Sequence, residues 1–244
     1  MHGDLPTSAK GRAGRTFRAS VPVYFHVVTD GATGSLTDAQ IAAQLDVLNV
    51  SSPAARAEPG PASRSSLPAS RARTTRPGST RVREAPTSTP CKARSTRAAT
   101  TRSTSTRRPR ARTLGWAYLP DIVTKPGQAH LDGIVVDWES MPDTSTTYAG
   151  RYDQGETATH ETGHRLNLEH TFYRGCSAKG DFVDDTPPEK TPTSGCPEGK
   201  DTCSAPGLDP IHNYMDYSYD SCYTEFTAGQ TQRMRDSWLL YRAG

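Results

Sequence analysis

Apolar residues gather in a few short runs separated by long polar stretches. Val21–Val28 (VPVYFHVV) is rich in β-branched and aromatic residues and predicts a strand, with Pro22 near its start, where a missing N–H is tolerated. Leu114–Leu119 and Gly133–Trp138 are two further apolar runs, bounded by Pro, Gly or Asp, and both read as strands. Thr37 and Gln40 have the spacing of a capping box, Leu36 and Ile41 fit the staple positions, and Ile41, Leu45 and Leu48 share a helical face. A helix of about three turns is therefore predicted from Thr37. A further helix is expected between Arg151 and Asn167, and Thr227–Tyr241 predicts a closing amphipathic helix with Met234, Trp238 and Tyr241 turned inward. No internal repeat is present.

Between these patterned stretches lies a segment of a different kind. Residues 51–113 consist mainly of Arg, Ser, Thr, Ala and Pro, with no aromatic residue and only Leu67, Val82 and Cys91 as larger apolar groups. They carry 15 of the chain's 29 basic residues and 2 of its 26 acidic ones, leaving 14 basic and 24 acidic residues on the rest. The net charge of +3 thus averages two compositions. Such a segment cannot bury enough surface to offset its chain entropy, and it is expected to be disordered. It could be a basic linker or a polyanion-binding arm. A third explanation fits better: the stretch is the wrong reading frame of a GC-rich gene. With GC-rich codons, Arg71–Thr80 read two bases later becomes RTDNAAWFN, and Arg97–Arg107 at the same offset becomes GGDDALNLYS, both ordinary globular sequence. A compensating shift would lie near Thr113.

The length of 244 residues suits one enzyme domain, here residues 20–244, with residues 1–19 a disordered remnant. No run approaches the roughly 18 apolar residues of a membrane span, so no membrane anchoring is expected. Four cysteines crowd the last third among Gly, Pro and Asp-rich loops and suggest two disulfides, hence an oxidising, extracellular setting. Residues 1–20 lack a signal peptide's apolar centre, so an export signal is expected upstream of Met1.

His160-Glu161-Thr162-Gly163-His164 is H-E-x-x-H, which on a helix places two imidazoles one turn apart on one face, within reach of a single ion. Alone the pattern also fits a polar surface helix. Here it extends to H-E-x-x-H-x-x-N-x-x-H through Asn167 and His170. A third ligand six residues after the second requires the helix to end and turn back through a left-handed residue. Gly is usual there, and Asn is the next most tolerant. Three neutral imidazoles leave a fourth position for water, and Glu161 is the natural base for it, the alternative being a hydrogen bond to a ligand.

Asn213-Tyr214-Met215-Asp216-Tyr217 has the form of a Met-turn, and at this point the chain resembles the metzincins. HETGHRLNLEHTF, the DDTP at Asp184–Pro187, NYMDYSYDSC at Asn213–Cys222 and FTAGQTQRM at Phe226–Met234 together look like the pappalysin (cytophagalysin) family, over residues 20–50 and 114–244. The resemblance implies an α+β fold: a twisted mixed sheet with the active-site helix in an upper lobe, and a loop-rich, disulfide-bonded lower lobe with the Met-turn and C-terminal helix. It implies zinc on His160, His164 and His170, Glu161 as general base, Met215 beneath the metal, and Tyr217 positioned to bond the oxyanion, unless it is a core tyrosine. It further implies the pairs Cys176–Cys203 and Cys196–Cys222, leaving Cys91 unpaired, and peptide lying along an edge strand, taken to be Gly133–Trp138. Asp181, Asp184, Asp185 and Thr186 suggest a calcium site, the alternative being a solvated acidic loop. His26, His130 and His212 match no motif and are expected to be structural. Arg165 and Arg174 stand where the family more often has an aromatic residue and a glycine. The function implied is a secreted, monomeric zinc endopeptidase acting on proteins or peptides, with no nucleic-acid partner. Its rivals are an inactive, frameshifted product of such a gene and a basic polyanion-binding module.

Overall fold

A computed structural model describes residues 19–52 and 113–242, with the backbone of 55–59, 67–68 and 100–102. The expectations of disorder over 1–19 and of an out-of-frame, disordered 51–113 fall almost wholly outside the described residues.

The run Val21–Val28 is not one strand. It divides into β1 (Ala19–Val23) and β2 (His26–Thr29), which join different sheets. β1 pairs in parallel with β3 (Ala55–Pro59). β2 enters a five-stranded sheet in the order β4-β2-β5-β7-β6, with β4 at Leu67–Pro68, β5 at Thr100–Arg102, β6 at Gly115–Ala117 and β7 at Ile134–Asp137. The pairings are parallel except β6 against β7, which is antiparallel. Among the described residues the free edge beside the cleft is therefore β6, and β7 is flanked on both sides. The expectation that Gly133–Trp138 forms the edge is corrected by this order. Both runs look alike in sequence, and only long-range pairing decides which is outermost.

Helix α1 (Asp38–Ser51) starts at the Thr37–Gln40 capping box and buries Leu45 and Leu48, whereas Ile41 is only partly covered. Leu48 packs with Ile134, Val136 and Ala158, and Phe25 and Ala117 lie against the cluster. Ala158 belongs to α2 (Glu156–Arg165), so both helices cover one face of the sheet. Two polar links fix α1 to α2: Gln44 Nε2 donates to Gly155 O at 2.9 Å, and the Ser51 and Thr159 hydroxyls meet at 2.9 Å.

Beyond α2 the chain runs through turns to α3 (Ala228–Tyr241), interrupted only by a single 3-10 turn at Asp220–Cys222. Disulfides join Cys176 to Cys203 and Cys196 to Cys222. The interior here is polar. Glu189, fully buried, accepts from Thr171 and Thr193 at 2.7 and 2.9 Å and from Lys200, which also reaches Asp209. The buried residues of α3 are likewise polar, Gln230, Arg233, Asp236 and Ser237, whereas Met234, Trp238 and Tyr241, expected inward, are only partly buried. Distant groups supply partners for two of these. Asn213 and Gln230 exchange side-chain bonds at 2.7 and 3.0 Å, and Arg233 Nε donates to Asn167 O at 2.7 Å. Buried polar groups with such partners are stable inside, which hydrophobic periodicity does not register.

Candidate metal centre

Helix α2 is N-capped by Gly155, at φ 91°, which has no side chain to accept from the first turn. The Asp220 carboxylate supplies the acceptor, taking backbone bonds from Gln154, at 2.8 Å, and from Gly155 and Glu156. His160 and His164 share one face of α2. The helix then closes with Leu168 N donating to Gly163 O, and Asn167 adopts φ 80°, the left-handed turn that the third histidine's spacing requires. His170 returns to its partners, with its Nε2 3.0 Å from that of His164 and 3.1 Å from that of His160.

The tautomers follow from the outer contacts. His160 Nδ1 lies 2.7 Å from Tyr214 O, and His164 Nδ1 lies 2.8 Å from Leu168 O. A nitrogen facing a carbonyl must carry the proton, so each Nε2 is left with its lone pair directed at the common centre. Four-coordinate zinc with bonds of about 2.0–2.1 Å sets ligand nitrogens roughly 3.3 Å apart, close to the spacing here, so the donor set fits that ion. Burial pushes all three imidazoles down, with repulsion from neighbouring rings adding to it at His160 and at His170, which falls to about 3, and this keeps them neutral as ligands must be.

Glu161 is buried beside this triad, with Oε2 lacking any hydrogen-bond partner, and burial raises its carboxyl to about 8. The space in front of it depends on Gly115 in β6, where a Cβ would come within 2.8 Å of Glu161 Oε1. Behind the triad, fully buried Met215 lies under Gly163, where a Cβ would collide with its Sδ. The Met-turn is held by Met215 N donating to Asn213 Oδ1 at 3.0 Å, so the Asn213–Gln230 pair ties it to α3. Tyr217 is 45% exposed, with its ring 4.9 Å from that of His170 and 5.7 Å from that of His160. Phe172 stacks on His170 at 4.7 Å with a 9° tilt and meets Tyr217 at 5.0 Å. A cleft of about 610 Å³ opens over the triad, walled by β6, Tyr148, Tyr152, Glu156, Asp220 and Tyr223.

Gly115 is a site residue outside every motif, and Phe172 and Asp220 lie within motifs that do not disclose their roles. A glycine in a short strand can mark a close approach, but its partner is invisible until the fold is known. Arg165 and Arg174 face away from the chemistry: Arg165 pairs with Asp132 at 3.0 Å, and Arg174 lies over the Phe182 ring. Cys196, His212 and Cys222 also lie within reach of one another, but the two sulfurs are bonded together.

The acidic residues expected to hold calcium are dispersed. Among the described residues no cluster of ligand atoms within 4.8 Å includes Asp181, Asp184 or Asp185. Asp185 caps α3, accepting from Thr227 Oγ1 at 2.7 Å and Gly229 N at 2.8 Å, and Asp184 is exposed. Asp181 is buried, and burial raises its carboxyl to about 7 in spite of the opposing hydrogen bonds from Val183 N and the Thr186 hydroxyl.

Residues 113–238 match the Peptidase_M43 family, described as pregnancy-associated plasma protein-A. An extracellular metalloprotease of Neurospora crassa is 52% identical over 132 residues, covering 53% of this chain and 45% of that protein. Extracellular metalloprotease 1 of Coccidioides posadasii is 51% identical over 133 residues, 54% of this chain and 47% of its own. The chain thus spans about half the length of the curated relatives it matches. Among solved structures, mature mirolysin of Tannerella forsythia in complex with a cleaved peptide superposes with a TM-score of 0.65 at 26% identity, covering 89% of this chain and 90% of that one. Promirolysin of the same organism shares the fold, with a TM-score of 0.68 at 24% identity over 93% of this chain and 84% of its own.

Proposed function

The chain belongs to the Peptidase_M43 family, and from that premise we propose that it is a secreted, monomeric zinc endopeptidase that hydrolyses peptide bonds of proteins. The convergence of the three Nε2 atoms beside a buried glutamate with an unpartnered oxygen carries this reading.

His160, His164 and His170 would hold the metal, and bound zinc would polarise the scissile carbonyl and acidify water enough to provide hydroxide at neutral pH. Glu161 takes the proton of the attacking water and delivers it to the leaving amine, both within the space that Gly115 leaves open. The Tyr217 phenol donates a hydrogen bond to the oxygen that becomes negative; burial, with Glu161 and Asp216 nearby, raises its pKa and keeps its proton in place. Extended peptide adds as a strand to β6, whose outer edge faces the cleft. Asp181 contributes to a calcium site in the lower lobe, with the Thr186 hydroxyl beside its buried carboxyl.

The test is cleavage of casein or gelatin with and without a zinc chelator, beside Glu161→Ala, with metal content measured on the same samples. We expect chelator-sensitive activity, stoichiometric zinc in both proteins, and a fall of roughly 10²–10⁴-fold in the variant. Unchanged activity in Glu161→Ala would overturn the assignment. A specific observation favours a second reading, an inactive product of a frameshifted gene: β5, between β2 and β7, falls in the Arg, Ser and Thr-rich segment. Zinc-free, inactive and protease-sensitive protein would support it.

A further inference from the structure

The strand at the rim of the cleft carries aromatic side chains on the face turned away from α2. In β6, Gly115 faces Glu161 and Ala117 packs toward the core, so both look to the helix side. Successive residues of a strand point to opposite faces, which puts Trp116 on the other one. Tyr118, two residues on, meets it edge to face, with ring centroids 5.3 Å apart at 86°. The two side chains are 44% and 41% exposed, and Trp116 also lines the cleft, as does exposed Tyr217. Adjacent exposed rings beside a cleft form a contiguous apolar surface, the kind that interaction sites present.

We propose that Trp116, braced by Tyr118, is a specificity-determining residue that selects substrates with aromatic side chains on either side of the residue seated in the cleft. This rests on the placement of substrate along β6 proposed above. A peptide added to that edge alternates like any strand, so a side chain entering the cleft on the α2 face leaves its two neighbours on the Trp116 face. Side chains directly opposite across paired strands come within about 4.5–5.5 Å, contact distance for an aromatic ring. Trp116 already has Val135 of β7 as its partner on one side, and the substrate would supply the other. The edge-to-face contact with Tyr118 braces the indole on that face of the strand.

The experiment uses two peptides identical except for Phe or Ala at the positions flanking the cleft residue, turned over by the full chain and by Trp116→Ala and Trp116→Phe. We expect the full chain to prefer the Phe peptide roughly three- to tenfold in kcat/KM, as an aromatic pair allows. Trp116→Phe should keep most of this preference, and Trp116→Ala should bring the ratio near unity. Equal turnover of the two peptides by the full chain, or a preference undiminished in Trp116→Ala, would overturn the proposal. Calorimetric binding of both intact peptides to Glu161→Ala, with and without Trp116→Ala, reads the same ratio without catalysis. Cleavage of neither peptide alongside aromatic-selective binding would count against the peptidase assignment and not against Trp116.

Discussion

The two sides of the cleft are stabilised by different means. Above it, strands of two to five residues are joined by backbone pairing, and a small apolar cluster under α1 and α2 is the core. Below it, the chain from α2 to α3 has almost no regular structure, but two disulfides and buried, partnered polar groups such as Glu189, Asn213 and Gln230 fix its path. The three histidines, Glu161, Met215, Phe172 and Tyr217 all belong to α2 or to the lower side, and Gly115, against Glu161, comes from the sheet. The metal site is therefore defined by local spacing and polar bonding, whereas its support depends on a sheet whose central strand β5 comes from the compositionally foreign segment. A constellation can be chemically complete on a scaffold that is not.

The sharpest way to break this contrast is to resynthesise residues 53–112 in the shifted frame. The restored stretches RTDNAAWFN and GGDDALNLYS carry Trp, Phe, Leu and Tyr side chains, and burying even two of them contributes about 3–6 kcal/mol. Thermal unfolding should move to clearly higher temperature and resistance to proteolysis should rise, with zinc stoichiometry unaltered. No gain in melting temperature would mean that the Arg-rich segment is the native sequence.

Next in size is a pH effect confined to the lower side. Burial raises the Asp181 carboxyl from 3.8 to about 7, so the folded state prefers it neutral. The stability it contributes is present in full below the unfolded value near 4 and is lost as pH rises to about 7, beyond which it stays flat. In chelator, Asp181→Asn should be more stable than the parent chain at pH 8, by up to a few kcal/mol, with the difference closing toward pH 4. Calcium restoring the parent chain at pH 8 but not the variant would place the ion on Asp181; equal curves for both proteins in chelator would remove the buried carboxyl from consideration.

Gln230→Ala probes the polar interior with a smaller expected loss. It leaves the buried Asn213 amide without its partner and frees the Met-turn from α3, at about 1–3 kcal/mol in unfolding free energy by denaturant titration. A loss below 0.5 kcal/mol, roughly the minimum for a net hydrogen bond, would show that water replaces the contact.

What could be read from the residues divides along the same line. The capping box at Thr37–Gln40 and the turn at Asn167 are legible because they are set by neighbours three or four positions away. The break of Val21–Val28 into two strands, the position of β6 outside β7, and the buried polar face of α3 are set by partners far along the chain. Gly115, Asp220 and Phe172 belong to that second group. Each acts on α2 or His170 through a contact that no spacing encodes.

Phe172 offers the finest test of the contrast, because it lies only two residues from His170 and yet its role depends on the fold. Its ring stacks on the His170 imidazole, while the described contacts of that imidazole include no carbonyl acceptor like those that orient His160 and His164. The stack therefore substitutes for an orienting hydrogen bond. Phe172→Leu keeps the apolar volume but removes the parallel face, an effect of about 0.5–1.5 kcal/mol for an aromatic pair. Zinc affinity measured by competition with a chelator should weaken by roughly twofold to tenfold, with the melting temperature of the metal-free protein little changed. If the metal-free protein instead loses stability while zinc affinity holds, Phe172 is a packing residue of the lower side, and His170 is oriented by the Asn167 turn alone.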